Sequence, residues 1–382
     1  MVVIDFLDYN VIDTLVLVNT LKPEKIYLMA ETSALNGKRA KHLENAIKQI
    51  NPSMRVETIG IDVKDILSAV NQIADISNKE NTDVYLNIDA DHGISTAASY
   101  GAEDRSRAIP ICVDMSHGAI RNLKTLEVIS DIKHITLTDF LNAVGAKQVE
   151  DSHELPPEEE YQQIVNVAET LFKSVYVWNM LCAYIGKHYS HDNDYVRIPA
   201  DLGGEASDRN IDTVRRQLQA FCDNGFLSKK EGEEDTYKFT NDRHKGYMVV
   251  FGIWLEMYIY IKFKPYFEET HCGYVIDWES MDDFDTKDNE IDVIGISKSR
   301  PILISCKMRM PTKEDIYEIG YISEMLGGSL AIPVVATTAI VNHRQSFKPG
   351  LYPRFCKMNV GLIETIEMRT VPIENIVARL GI

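Results

Sequence analysis

Over residues 1–150, short β-branched apolar runs alternate with stretches whose apolar positions recur at helical spacing. Strands are expected over 2–6, 25–29, 56–59, 84–87 and 108–113. Between them, one helix carries Val11, Ile12, Leu15, Val16 and Val18 on a face, and a second carries Leu43, Ala46, Ile47 and Ile50. A third carries Val63, Ile66, Leu67, Val70 and Ile73. Strict alternation of strand and helix predicts a parallel, Rossmann-like α/β sheet, in which ligands bind in loops beyond the carboxyl ends of the strands.

The pattern breaks at 151–160, where two prolines and a run of acids mark a domain edge. Residues 151–245 are expected to form a mainly helical connector. In it, a helix from Arg209 places Ile211, Val214, Leu218 and Phe221 on one face, and Asn224-Gly225 ends it. A hairpin with a charged turn over 229–235 follows, and helix plus hairpin has the outline of a winged helix. Arg209, Arg215 and Arg216 are offset there by Asp208, Asp212 and Asp223, and the turn holds Glu231, Glu233, Glu234 and Asp235. A connecting role is therefore expected rather than sequence-specific DNA reading.

From 246 to 382 a third α/β unit is expected. It comprises an apolar helix over 247–263, a strand near 274–277, a hairpin over 290–307, a helix over 312–326 and a strand over 331–337. Between the first strand and the hairpin lies an acidic loop. Its Asp282, Asp283, Asp285 and Asp288 lack the glycine and terminal glutamate of a calcium loop, so a solvated loop is expected.

Composition narrows the function. The 382 residues hold 40 Lys+Arg against 57 Asp+Glu, a net charge of −17, which argues against a passive polyanion binder. Six scattered cysteines include no Cys-x-x-Cys pair, so neither a zinc site nor a disulfide framework is expected, and the cytoplasm suits the chain. No apolar run approaches the ~18–20 residues of a membrane span, and the start of the chain is not expected to be a secretory signal.

The candidate chemistry lies in the hairpin. Side chains alternate along a strand, so Glu290 and Asp292 share one face, as do Ser305 and Lys307 on the returning strand. Charges at the centre of buried strands are costly unless paired or functional. Glu256 likewise interrupts an apolar helix. In order, Glu256, Asp292, Ser305 and Lys307 resemble the pattern of the restriction-endonuclease-like PD-(D/E)xK nucleases, which is a helix Glu, a strand Asp and (D/E)-x-K. Ser305 stands where most members carry a carboxylate. The resemblance implies a Mn²⁺- or Mg²⁺-dependent phosphodiesterase. Glu256, Asp292 and the Cys306 carbonyl would be metal ligands, Lys307 would be catalytic, and Glu290 is a secondary candidate.

Taken whole, the chain resembles the CRISPR-associated ancillary nucleases that join a CARF sensor domain to this nuclease core. The resemblance implies a homodimer that binds cyclic tetra-adenylate, or another cyclic oligoadenylate, across the sensors. Ligand then activates cleavage of single-stranded RNA or DNA, or of nicked duplex DNA, in type III antiviral defence. The matching sensor positions lie in loops after strands: Asp8, Tyr9 and Asn10; Thr32 and Ser33; Asn87, Asp89, His92, Gly93, Ile94, Ser95 and Thr96; Ser116, His117 and Gly118. The family's Thr-Gly-Gly in the fourth loop is absent. An alternative of another class is a cyclic-oligonucleotide-responsive transcription regulator that uses the winged-helix-like segment.

Overall fold

The computed structural model describes the chain except residues 8–9, 32–37, 63, 90–92, 153, 191–193, 279–288 and 342–349. The amino-terminal sheet begins with β1 (Val2–Phe6), whose five residues are all buried. Then follow α1 (Ile12–Leu21), β2 (Lys25–Glu31), α2 (Lys38–Ile50), β3 (Arg55–Ile61), α3 (Ile66–Lys79), β4 (Val84–Asn87), α4 (Gly93–Ala102) and β5 (Ile109–Asp114). An antiparallel extension, β6 (Ala119–Asn122) and β7 (Val128–Asp131), gives the order β3-β2-β1-β4-β5-β6-β7. The first five strands in that order are parallel, and the connection reverses direction between β1 and β4. That reversal opens a crevice beyond the strand ends.

Helix α3 departs from expectation. Asp65 caps it by accepting from the Ser68 amide, and its buried face is Ala69, Val70, Ile73 and Ile76. Ile66 and Leu67 are exposed, because the first turn lies off the face that packs. Val63 lies outside the described residues.

Helix α1 is buried on all but Asn19 and Leu21, which means it is covered on both sides. One cover is the sheet. The other is the carboxyl-terminal unit: a β-carbon on Gly327 would lie 2.8 Å from the Ile12 Cδ1. The amino-terminal and carboxyl-terminal units therefore share one continuous apolar core.

After α5 (Leu137–Val144) comes β8 (Lys147–Asp151). This strand pairs antiparallel with β12 (Glu269–Asp277) and so forms the edge of the carboxyl-terminal sheet. The connector holds α6 (Tyr161–Leu171), α7 (Val175–His188), β9 (Tyr195–Arg197), α8 (Asp208–Asp223), β10 (Leu227–Lys229) and β11 (Thr236–Phe239). It has the expected helix and hairpin, plus a third strand paired on β11.

The apolar stretch over 247–263 is helical only from Ile253: α9 (Asp242–Tyr247) ends where the stretch begins, and α10 (Ile253–Phe263) starts after a break. Val250 and Phe251 in the break are exposed. Trp254 of α10 packs between Trp178, Phe221 and Phe226 of the connector at centroid distances of 6.4, 5.4 and 5.2 Å. The connector is thereby fused to the helix that carries Glu256.

The last sheet runs β16-β15-β14-β13-β12-β8. Its strands β13 (Asn289–Ser297) and β14 (Arg300–Lys307) are the expected hairpin. Helix α11 (Lys313–Gly327), opened by a Thr312–Asp315 capping box, leads to β15 (Ile332–Thr337), which is parallel to β14. Then come α12 (Tyr352–Lys357), β16 (Gly361–Glu364), α13 (Thr365–Met368) and α14 (Ile373–Leu380).

Candidate active site

Antiparallel register brings Asp292 to Ser305. Val293 pairs with Ile304, so the next position on each strand faces the other at the open end of the hairpin. The Asp292 Oδ2 accepts from the Ser305 hydroxyl at 3.3 Å and from the Cys306 amide, and lies 3.6 Å from the Lys307 Nζ. The amide of Cys306 reaches the site, while its thiol is buried and burial pushes its pKa well up.

Glu256 enters from α10 and is 8% exposed. One turn earlier, Gly252 leaves room for it: a β-carbon there would lie 2.7 Å from the Glu256 Oε1. Burial, and next the charge of Glu256, hold the Asp292 carboxyl above its ordinary range, against the pull of Lys307 and the Cys306 amide. The desolvated carboxylate of Asp292, the Glu256 carboxylate near it and the Ser305 hydroxyl are hard oxygen donors. That donor chemistry fits a divalent cation such as Mg²⁺ or Mn²⁺ with water completing its shell. Among the described residues, no three His, Cys, Asp or Glu side chains gather as a metal cage.

Glu290 stands apart from this pair. It is exposed and accepts from the Ser152 hydroxyl, while adding negative charge near Asp292. Of the cations near the hairpin in sequence, Lys298 and Arg300 lie at its closed end, roughly 16 Å from Asp292 by strand rise. Arg300 donates there to the Gly381 carbonyl. Arg309 is closer in sequence but grips Asp315 with two hydrogen bonds of 2.7 and 2.9 Å.

In the amino-terminal unit, Asn10 is buried, and its Oδ1 accepts from the amide of Ile12, the first residue of α1. Asn87 is 1% exposed and donates to Asp5 at 3.0 Å. Ser95 is buried and donates to the Asp89 carbonyl. Gly93, Thr96, Ser116, His117 and Gly118 are exposed, with Asp89 and Ile94 half-buried. His117 and Arg121 contact Asp114 at 2.8 and 2.9 Å, and hold its carboxyl low although desolvation opposes them. Asp8, Tyr9, Thr32, Ser33 and His92 lie outside the described residues, as does the acidic cluster at 282–288.

The sequence pattern missed Asp5. It accepts from Thr14 at 2.7 Å as well as from Asn87 and the Phe6 amide, and burial still raises its pKa to about 6. An acid inside the apolar run Val2–Phe6 was the available signal, the same one that marks Asp292.

A doubly wound amino-terminal sheet, a winged helical connector and a hairpin-centred carboxyl-terminal sheet thus make up the fold. No family model matches the chain, and no curated protein matches it in sequence. Solved structures do share its fold. Protein VC1899 from Vibrio cholerae aligns with a TM-score of 0.75 at 14% identity, over 98% of this chain and 97% of that one. Can2 from Sulfobacillus thermosulfidooxidans, solved in complex with cyclic tetra-adenylate, aligns with a TM-score of 0.67 at 14% identity, over the same 98% and 97%.

Proposed function

We propose that the protein is a metal-dependent nuclease of type III CRISPR defence, switched on by cyclic tetra-adenylate at its sensor domain. The observation that carries it is the convergence of Asp292, Ser305 and Lys307 at the open end of one hairpin, with Glu256 beside them. A structural ion pair would not call for a second buried carboxylate whose charge opposes the first.

Glu256, Asp292 and the Cys306 carbonyl would hold the metal, with Ser305 a weaker donor in the place of a carboxylate. When bound, the metal supplies charge neutralisation and a more acidic water. Lys307 holds the attacking water and offsets the charge that builds on the phosphate as the bond to the leaving oxygen breaks. Asp292 orients Lys307 and is itself fixed by the Cys306 amide. The substrate is a single strand of RNA or DNA, or a nicked duplex.

The ligand belongs in the crevice beyond β1, β4 and β5, where Asn10, Gly93, Thr96 and the 116–118 turn meet solvent or the crevice floor. The Can2 complex with cyclic tetra-adenylate supports that choice of ligand. A cyclic ligand with two-fold symmetry suits a homodimer whose two sensors face each other. Ligand acts by binding one arrangement of that dimer more tightly than another. Titrating cyclic oligoadenylates of several ring sizes against the melting temperature tests the sensor half: the tetra-adenylate is expected to give the largest rise. No rise with any ring would remove the switch from the account.

A further inference from the structure

The connector contains a face that the nuclease mechanism does not use. In the small sheet β10-β11-β9, register sets Lys238 opposite Tyr195 and Ser228, and Arg197 opposite Thr236. The alternate positions, Val196, Leu227, Tyr237 and Phe239, are buried against the connector core. Tyr195, Arg197 and Lys238 therefore point outward, and each is exposed.

The Lys230 and Lys238 ammonium groups lie 4.9 and 5.8 Å from the centre of the Tyr195 ring. Arg197 and Lys238 have no carboxylate partner among the described residues, and Lys230 is shared with Glu233. Asp194 faces the other way, toward the buried Lys245 at 3.9 Å. In a chain of net charge −17, an exposed aromatic ring with two lysines beside it, on a sheet face where Arg197 and Lys238 lack a carboxylate partner among the described residues, marks a surface suited to an anion.

Resting on the nuclease reading above, we propose that this outward sheet face, Tyr195 with Arg197, Lys230 and Lys238, holds single-stranded nucleic acid beside the cleavage domain. A base stacks on Tyr195, and the flanking cations take the adjacent phosphates. Helix α8 is a poor groove reader by comparison. Its Arg215 is paired with Asp212 at 3.1 Å, and Arg216 is turned onto Thr213 and the Asp212 carbonyl. A duplex would also hide the base faces that Tyr195 needs. Glu231, Glu233, Glu234 and Asp235 occupy the turn beyond Lys230, so the attractive field is confined to the sheet and the strand is kept off the tip.

Fluorescence anisotropy of the full-length protein in EDTA, with labelled single-stranded RNA, single-stranded DNA and duplex at low and high salt, tests this directly. The triple variant Arg197→Gln, Lys230→Gln, Lys238→Gln is expected to lose about tenfold or more in single-strand affinity and to show a shallower salt dependence. Tyr195→Ala is expected to weaken binding at every salt concentration, and Tyr195→Phe to restore it. Circular dichroism melts confirm that the variants fold. Unchanged affinity in the folded triple variant, or tighter binding of duplex than of single strand, overturns the proposal. Cleavage with unchanged binding in the triple variant sinks this face and leaves the nuclease standing. Loss of binding in a protein that never cleaves sinks the nuclease and leaves the face.

Discussion

Asn10, in the loop after β1, packs directly on Gly328 of the carboxyl-terminal unit. A β-carbon at Gly328 would stand 3.2 Å from the Asn10 Cβ and 3.4 Å from its Cα. Gly328 also has φ +55 and ψ −140, a conformation open to glycine and costly for other residues. The short turn that begins there leads into β15, whose last residue, Thr337, pairs with Lys307. A crevice loop is thus linked through β15 to the candidate catalytic strand.

Replacing Gly328 with Ala is expected to cost about 1–3 kcal/mol through backbone strain. If the contact carries the switch, cyclic tetra-adenylate still raises the melting temperature of this variant, while its stimulation of cleavage falls. Thermal melts paired with cleavage assays separate the two effects, and undiminished stimulation would clear Gly328 of any part in coupling.

Gly252→Ala tests how Glu256 is placed. The added methyl would meet the Glu256 carboxylate, in a helix-compatible backbone that needs no glycine. Cleavage is expected to fall about tenfold or more, with a melting temperature close to that of the parent. A large loss of stability with normal specific activity would mean that Glu256 is structural.

Ser305→Asp supplies the carboxylate that most members of the resembled nuclease class carry. It would place a third acid against Asp292, whose Oδ2 now accepts from the Ser305 hydroxyl at 3.3 Å. In EDTA the variant is expected to lose about 1–3 kcal/mol by like-charge repulsion in a desolvated site. Mn²⁺ should then stabilise it more than it stabilises the parent. Melts with and without metal check this, and equal metal effects in both proteins would argue against an ion at this position.

Asp5 sets a pH dependence. Burial raises its pKa from an ordinary 3.8 to about 6, so the folded state holds this proton more tightly than the unfolded chain does. Its contribution to stability is therefore most favourable below the unfolded value, declines as pH rises through the folded one, and levels off as a cost of about 3 kcal/mol. Asn in its place keeps a carbonyl for Phe6 and Asn87 and turns an amide toward Thr14. Asp5→Asn is expected to gain stability over the parent near about pH 7, with the gain shrinking toward about pH 4. A variant less stable than the parent near neutrality would contradict the burial argument.

The hairpin of β13 and β14 was legible in the sequence because charges at Asp292 and Lys307 interrupt strands that are otherwise apolar. Glu256 showed itself in the same way in α10. Asp5 carries an equal signal in β1, an acid within an apolar strand. What local pattern cannot hold is pairing at a distance. Nothing near Lys147–Asp151 says that this strand joins Glu269–Asp277 rather than the sheet before it. The shared cores follow from helices α1 and α10 being apolar nearly all round, a pattern that calls for cover on two sides. Five of the proposed ligand contacts, Asp8, Tyr9, Thr32, Ser33 and His92, fall outside the described residues.

Cleavage of a labelled single strand by the full-length protein with Mn²⁺, with and without cyclic tetra-adenylate, bears most directly on the whole account when the parent is run beside Asp292→Ala. The parent should cut only when ligand is present. The variant should lose about a hundredfold or more of that activity and keep the ligand-induced rise in melting temperature. Cutting by Asp292→Ala at the parent's rate would contradict the account at its centre.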